Sequence, residues 1–268
     1  MDWKIVFSDI DGTVLNSKHE LLSSTITSVQ SLASRNIPFV LVSARMPKAM
    51  KLILDEINVK MPMISYGGAL VLDEQNHILY DNKINKVDTR AIIDEIETIK
   101  SGEIVINYYS DDNWYVKDKN NLAVKREENI THVKSSQANF DDLIRKDVLP
   151  NKLLCMTEPD INADLEKVLK EKFPQLNIVR SSDILLEIMN KDVSKAKGLK
   201  VLLDYLQIES FQAIAFGDNY NDLDMLKFVG RGVVMQNAPE EIKKQMKYIT
   251  KSNNEDGIYE YLQKLDLV

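Results

Sequence analysis

The chain has 268 residues, enough for about two domains and a sizeable core. Its 44% apolar and 28% charged content are those of an ordinary soluble protein, and a net charge of −7 argues against nucleic acid or an anionic membrane as a partner. The single cysteine, Cys155, excludes an intrachain disulfide, and neither a basic-then-apolar leader nor an apolar run of bilayer length is found, so a reducing, cytoplasmic setting is expected.

The apolar run Ile5-Val6-Phe7 reads as a short buried strand that ends in Ser8-Asp9-Ile10-Asp11-Gly12-Thr13. Side chains two apart on a strand share a side, so Asp9 and Asp11 would reach into one crevice, unless Asp11-Gly12 is merely a turn and Asp9 a solvated strand end. Two like charges that close call for a divalent cation beside them. Gly12 frees the backbone for a sharp exit, and Thr13 offers a hydroxyl and an amide at the turn. Ser23 is placed as the cap of a helix carrying Ile26, Val29, Leu32 and Ala33. Residues 37–42 form a second buried strand, which delivers Ser43-Ala44-Arg45 at its end. Pro47 opens a helix with Met50, Ile53, Leu54 and Ile57 on one face, and residues 62–65 are a third strand. Strand, helix and strand in alternation predict a parallel sheet, whose ligands bind beyond the carboxyl ends of the strands. A hairpin is expected over 69–72 and 77–80.

From about Asn82 the pattern becomes antiparallel, with strands over 104–109 and 114–116 around a polar turn. A strand over 152–156, a helix over 160–172 and paired strands at 178–179 and 184–188 continue an α+β pattern, read as an inserted domain over 83–188 between core segments 1–82 and 189–268. Tyr108, Tyr109, Trp114 and Tyr115 pack on a helix or stack on a substrate, and Cys155 sits in a buried strand rather than as a reactive thiol. His19, His77 and His132 lack metal-ligand spacing and receive no role. The first pattern returns near Asp192. Ser194 leads into a helix with Leu199, Leu202, Leu203 and Leu206, and the strand Ala213–Phe216 ends on Gly217-Asp218-Asn219-Tyr220-Asn221-Asp222. A further strand over 232–235, a helix from Pro239, a strand at 248–250 and a helix from Gly257 close the chain.

Polar groups at four strand ends or helix starts thus belong together chemically: Asp9 and Asp11, Ser43, Lys195, and Asp218 with Asn221 and Asp222. Lys195 falls in the first turn of its helix, where the dipole disfavours a cation, so either an anionic neighbour offsets the conflict or the lysine is solvated. With these motifs the chain resembles a haloacid dehalogenase superfamily phosphatase of the Cof-type subfamily, with a class IIB cap. The family's D-x-D-G-T matches Asp9–Thr13, its Ser or Thr after the second strand matches Ser43, its lysine after the cap matches Lys195, and its G-D-x-x-N-D matches Gly217–Asp222. Asn237-Ala238 and Glu255-Asp256-Gly257-Ile258 extend the similarity. Two departures are Gly67-Gly68-Ala69, where the family often has Asn-Gly-Ala, and Ala196, where glycine usually follows the lysine.

The resemblance implies an α/β fold with a Rossmann-like parallel-sheet core and an inserted α+β cap that closes over the site and chooses the leaving group. It also implies a Mg²⁺-dependent phosphatase for small phosphorylated metabolites such as sugar phosphates, flavin mononucleotide or pyridoxal phosphate, acting through an aspartyl-phosphate. Asp9 is then the nucleophile and Asp11 the acid and base; Ser43, Lys195 and Asn221 hold the phosphoryl oxygens. Asp9, the Asp11 carbonyl and Asp218 ligate the metal, with Asp222 behind them orienting a water on the ion. Arg45 stands between a phosphoryl contact and an ion pair. Alternatives are a phosphotransferase or phosphomutase of the same superfamily, or a non-catalytic module that binds a phosphometabolite. The physiological substrate and the oligomeric state are left open.

Overall fold

A computed structural model describes residues 2–99 and 102–268. The chain divides into two compact units, one holding the described residues through Arg45, Met50–Tyr80 and Ser194–Val268, the other Met46–Ala49 and the described residues of Asp81–Val193.

The first unit opens with β1 (Ile5–Ser8), every residue of which is buried. Helix α1 (Ser23–Ser34) buries Val29 and Leu32; its N-cap position is Leu22, with no side-chain cap bond, so Ser23 is the first helical residue rather than the cap. Strand β2 (Phe39–Val42) is again wholly buried. Helix α2 (Pro47–Ile57) starts on its proline, whose missing N–H costs nothing at that position. Strands β3 (Met63–Ser65), β4 (Leu70–Leu72) and β5 (Ile78–Asp81) follow.

The second unit begins with α3 (Lys86–Ile99), which buries Ile92, Ile93 and Ile96. It continues through β6 (Val105–Ser110), β7 (Asn113–Val116), α4 (Leu122–Thr131), β8 (Ser136–Gln137), α5 (Phe140–Arg145), β9 (Lys152–Met156), α6 (Pro159–Lys172), β10 (Leu176–Ser182) and β11 (Leu185–Asn190). These strands form one sheet in the order β10-β11-β9-β6-β7-β8, antiparallel except for β7 with β8. One sheet face supplies Tyr108, Leu153, Cys155, Leu186 and Ile188 to a core shared with Ile92, Phe140 and Leu165 from the helices. The aromatic side chains are packing elements of this unit: Tyr108 lies 5.2 Å from Phe140 and donates to the Val148 carbonyl at 2.6 Å, while Tyr109 stacks on Trp114 at 5.6 Å. Cys155 is fully buried, and burial pushes its thiol up to about 12.

The chain returns to the first unit with α7 (Lys195–Leu206), β12 (Ala213–Gly217), α8 (Leu223–Phe228), β13 (Arg231–Val234), α9 (Glu240–Lys243), β14 (Tyr248–Ile249) and α10 (Gly257–Gln263). Its eight strands run in the order β14-β13-β12-β1-β2-β3-β4-β5. From β14 to β3 every pairing is parallel, and the β3–β4 pairing turns antiparallel. This is the mixed α/β architecture with a parallel sheet expected from the alternating pattern. β1 lies between β12 and β2, which follow it in sequence on opposite sides, so the carboxyl end of β1 is the switch point where such sheets bind ligands. No helix among the described residues is long and apolar enough to cross a membrane.

Candidate active site

Three adjacent parallel strands end at the same edge of the sheet, and each is followed by a polar residue: Asp9 after β1, Ser43 after β2 and Asp218 after β12. Registers of Ser8 with Leu41 and with Phe216 fix this alignment. The fourth contribution arrives on α7. Its N-cap Ser194 accepts from the Lys197 amide at 3.2 Å, and the Ala196 amide donates to Asp224 at 3.1 Å. Gly68, with φ of +109°, lies so close that a Cβ there would run into the Ser194 carbonyl. The loop after β3 and the start of α7 therefore meet backbone to backbone, and Lys195 enters the site from that junction.

Lys195 is buried, with its Nζ on the Asp9 carboxylate and 2.6 Å from Asp222 Oδ1. Burial opposes the ammonium charge, but Asp222 and Asp9 outweigh it and raise Lys195 above its ordinary value. The cation placed at the unfavourable end of a helix dipole thus has the anionic neighbours it calls for. Asp222 is wholly buried, and its other oxygen accepts from the amides of Asp218 and Asn219, both at 2.9 Å. It clamps the loop after β12 onto Lys195.

Asp218 is held on both oxygens. The Thr13 hydroxyl donates to Oδ1 at 2.8 Å, and Asn237 Nδ2 donates to Oδ2 at 3.3 Å. Gly12, with φ of +84°, lies against it; a Cβ on that residue would occupy the Asp218 carboxylate. Burial, with Asp222 and Asp11 nearby, pushes Asp218 up to about 6 against the opposing Thr13 and Lys195. Asp9 is also raised above its ordinary value, first by burial and then by Asp222 and Asp218, with Lys195 opposing.

Oxygens of Asp9, Asp218 and Asp222 lie within 4.8 Å of one another. Three carboxylates here face one ammonium, an excess of negative charge that a divalent cation would offset. The donors are hard oxygens, the type Mg²⁺ selects, and Gly12, lacking a side chain, gives the Asp218 carboxylate the room to sit among them. The residues fit such an ion. Of the three carboxylates, Asp222 is the most deeply buried and accepts from the Lys195 ammonium and two backbone amides, which leaves Asp9 and Asp218 as the better ligands.

Asp11 departs from the strand-based expectation. β1 ends at Ser8, so Asp9 and Asp11 lie on the loop beyond it, and the two-residue alternation no longer sets their directions. The Asp11 carboxylate is half exposed and paired in a fork with Arg45, at 2.6 Å and 2.9 Å, with His19 Nδ1 3.6 Å away. Arg45 is thus in an ion pair in this structure, and His19, assigned nothing from sequence, stands beside Asp11. Ser43 is buried, with its Oγ accepting from the Arg45 amide at 3.2 Å. Asn221 is exposed on a single 3₁₀ turn, Tyr220–Asp222, next to the clamp. Asn237 was visible in sequence only as part of a family match. Its contacts to Gly12 and Asp218 arise from a loop after β13, and no local pattern in the sequence announces them.

The family model for haloacid dehalogenase-like hydrolases matches residues 6–262. A relative from Haemophilus influenzae named "Putative phosphatase" is 36% identical over 260 residues, covering 96% of each chain. A crystal structure from Thermotoga maritima is 27% identical with a TM-score of 0.87, covering 98% of this chain and 97% of that one. A haloacid dehalogenase-like hydrolase from Bacteroides thetaiotaomicron is 26% identical with the same TM-score, covering 98% and 99%. On the length of the family match and the identity to its relatives, this chain belongs to the haloacid dehalogenase-like hydrolases.

Proposed function

We propose that the protein is a Mg²⁺-dependent phosphatase that hydrolyses small phosphorylated metabolites, such as sugar phosphates, flavin mononucleotide or pyridoxal phosphate, through an aspartyl-phosphate on Asp9. The observation that carries this reading is the meeting of Asp9, Lys195, Asp218 and Asp222 at the carboxyl edge of the sheet. The name of the Haemophilus relative supports the same reaction class.

A phosphate monoester dianion repels nucleophiles, so neutralisation and in-line positioning matter more than bond-making power. Asp9, the Asp11 carbonyl and Asp218 would hold the metal, which when bound supplies positive charge against the phosphoryl oxygens. An Asp9 oxygen forms a bond to phosphorus as the ester P–O bond breaks, and the electron pair of that bond leaves on the alkoxide. Asp11 gives the alkoxide a proton. It then takes one from a water whose oxygen attacks phosphorus, and the Asp9–phosphorus bond breaks to release inorganic phosphate. Asp11 must leave Arg45 to reach the leaving group, so the pair seen here is a resting arrangement.

An ammonium has three donors, and Asp9 and Asp222 take two of those on Lys195; the third suits a phosphoryl oxygen. The Ser43 hydroxyl, which accepts from the Arg45 amide, keeps its own hydrogen to donate to the phosphoryl group, and the Asn221 amide donates from the neighbouring turn. The inserted segment 83–188 is assigned the choice of leaving group.

Replacing Asp9 by Asn leaves an amide that cannot attack phosphorus. Asp9→Asn is expected to abolish hydrolysis of p-nitrophenyl phosphate with the circular dichroism spectrum unchanged; retained turnover would exclude Asp9 as the nucleophile. Assaying phosphorylated metabolites with and without Mg²⁺, and scoring inorganic phosphate against transfer to an added sugar, separates a hydrolase from a phosphotransferase.

A further inference from the structure

Asp218 differs from the other two carboxylates of the site in how it is held. Asp9 and Asp222 share the Lys195 ammonium, whereas Asp218 accepts from two neutral donors, the Thr13 hydroxyl at 2.8 Å and the Asn237 amide at 3.3 Å. Neutral donors fix direction without cancelling charge, so the negative charge of Asp218 stays available to a cation.

Asn237 does this through a side chain whose orientation is determined by its partners. Its Nδ2 donates to the Gly12 carbonyl at 2.9 Å and to Asp218 Oδ2, both of which only accept. Its Oδ1 accepts from the Asn253 amide at 3.1 Å, a group that only donates. A flipped amide would set like against like at all three contacts. Asn253 is itself buried and donates to the Leu15 carbonyl at 2.8 Å, and next to it Asn254 accepts from the Ser17 amide at 3.0 Å. Asn237 therefore bridges the loop after β1 to the loop after β12, braced by the segment before α10.

We propose that Asn237, braced by Asn253, is a positioning residue that fixes Asp218 against the Gly12 carbonyl so that the site binds its divalent cation. The inference rests on the metal-dependent reading above. Removing partners that orient a metal ligand typically weakens metal binding 10–100-fold.

The test is calorimetric titration of the full chain with Mg²⁺ alone, without substrate. Asn237→Ala and Asn237→Asp, each lacking the donated bonds, are expected to weaken Mg²⁺ binding about tenfold or more. Melting temperatures in chelator are expected to stay near that of the wild type, which a merely structural residue would not allow. Asn253→Ala, which keeps the backbone N–H on Asn237 but removes the side-chain anchor on the Leu15 carbonyl, should give a smaller loss in the same direction and decides the matter if Asn237 variants do not fold. Binding by these variants within about twofold of the wild type would overturn the proposal, since the expected range starts near tenfold. Asp218→Asn separates the two layers. If it abolishes Mg²⁺ binding while the Asn237 variants bind normally, the role of Asn237 alone falls; if it binds as the wild type does, the ion is not held by Asp218 and the metal-dependent reading falls too.

Discussion

Lys195 is where the energetics of this site concentrate. Its ammonium is buried between two carboxylates, and removing one partner of a buried ion pair leaves an uncompensated charge that costs about 3–5 kcal/mol. Lys195→Ala is therefore expected to lose stability in that range in urea, measured without added metal, as well as phosphatase activity. A loss below about 0.5 kcal/mol, the scale of an ordinary surface substitution, would show that the pairing is not what holds Asp9 and Asp222. At this scale the sequence was informative because the dipole opposes a lysine in a first helical turn, which left an anionic neighbour or solvation, and the structure places Asp222 and Asp9 there as the anions. The orientation of Asp11 was not legible. It depends on where β1 stops and on a guanidinium 34 residues away, and neither is encoded in the spacing of the two aspartates.

Among the elements, α4 shows how polar burial substitutes for an apolar face. The residues it buries are Val124 and Glu128. Burial works against the Glu128 charge, but the Ser135 amide and hydroxyl, at 2.9 and 2.8 Å, with Lys134 and Lys125, outweigh it and hold the carboxyl down at about 2. A carboxyl depressed in the folded state stabilises above its unfolded value, near 4.3, and loses that contribution as pH falls through about 2. Glu128→Gln should therefore cost about 1–3 kcal/mol at pH 7, with the gap to the wild type closing between about pH 4 and pH 2. A gap that stays constant over that interval would mean the charge contributes nothing. The same helix explains why the middle third was read only in part: with one apolar residue buried, α4 carries almost no periodic signal. α3 is different. Ile92, Ile93 and Ile96 fall on one face, so the helical pattern of that element is present in the sequence. The buried runs of β1, β2 and β12 were plain for the opposite reason, since a central parallel strand is apolar on both faces.

For the whole molecule, function follows from topology. Residues more than 200 positions apart, such as Thr13 and Asp218, meet because β1 is the central strand and its neighbours on either side are parallel to it. The sequence motifs marked which strand ends matter, while the sheet order and the Asn237 bridge required coordinates. The central claim is that Asp9 becomes phosphorylated during turnover. Rapid acid quench of the protein with Mg²⁺ and a phosphorylated substrate, followed by peptide mass spectrometry, is predicted to find a phosphoryl group on the peptide carrying Asp9 and none in Asp9→Asn. A wild-type enzyme that turns over under the same conditions while that peptide stays unmodified at every quench time would contradict the account.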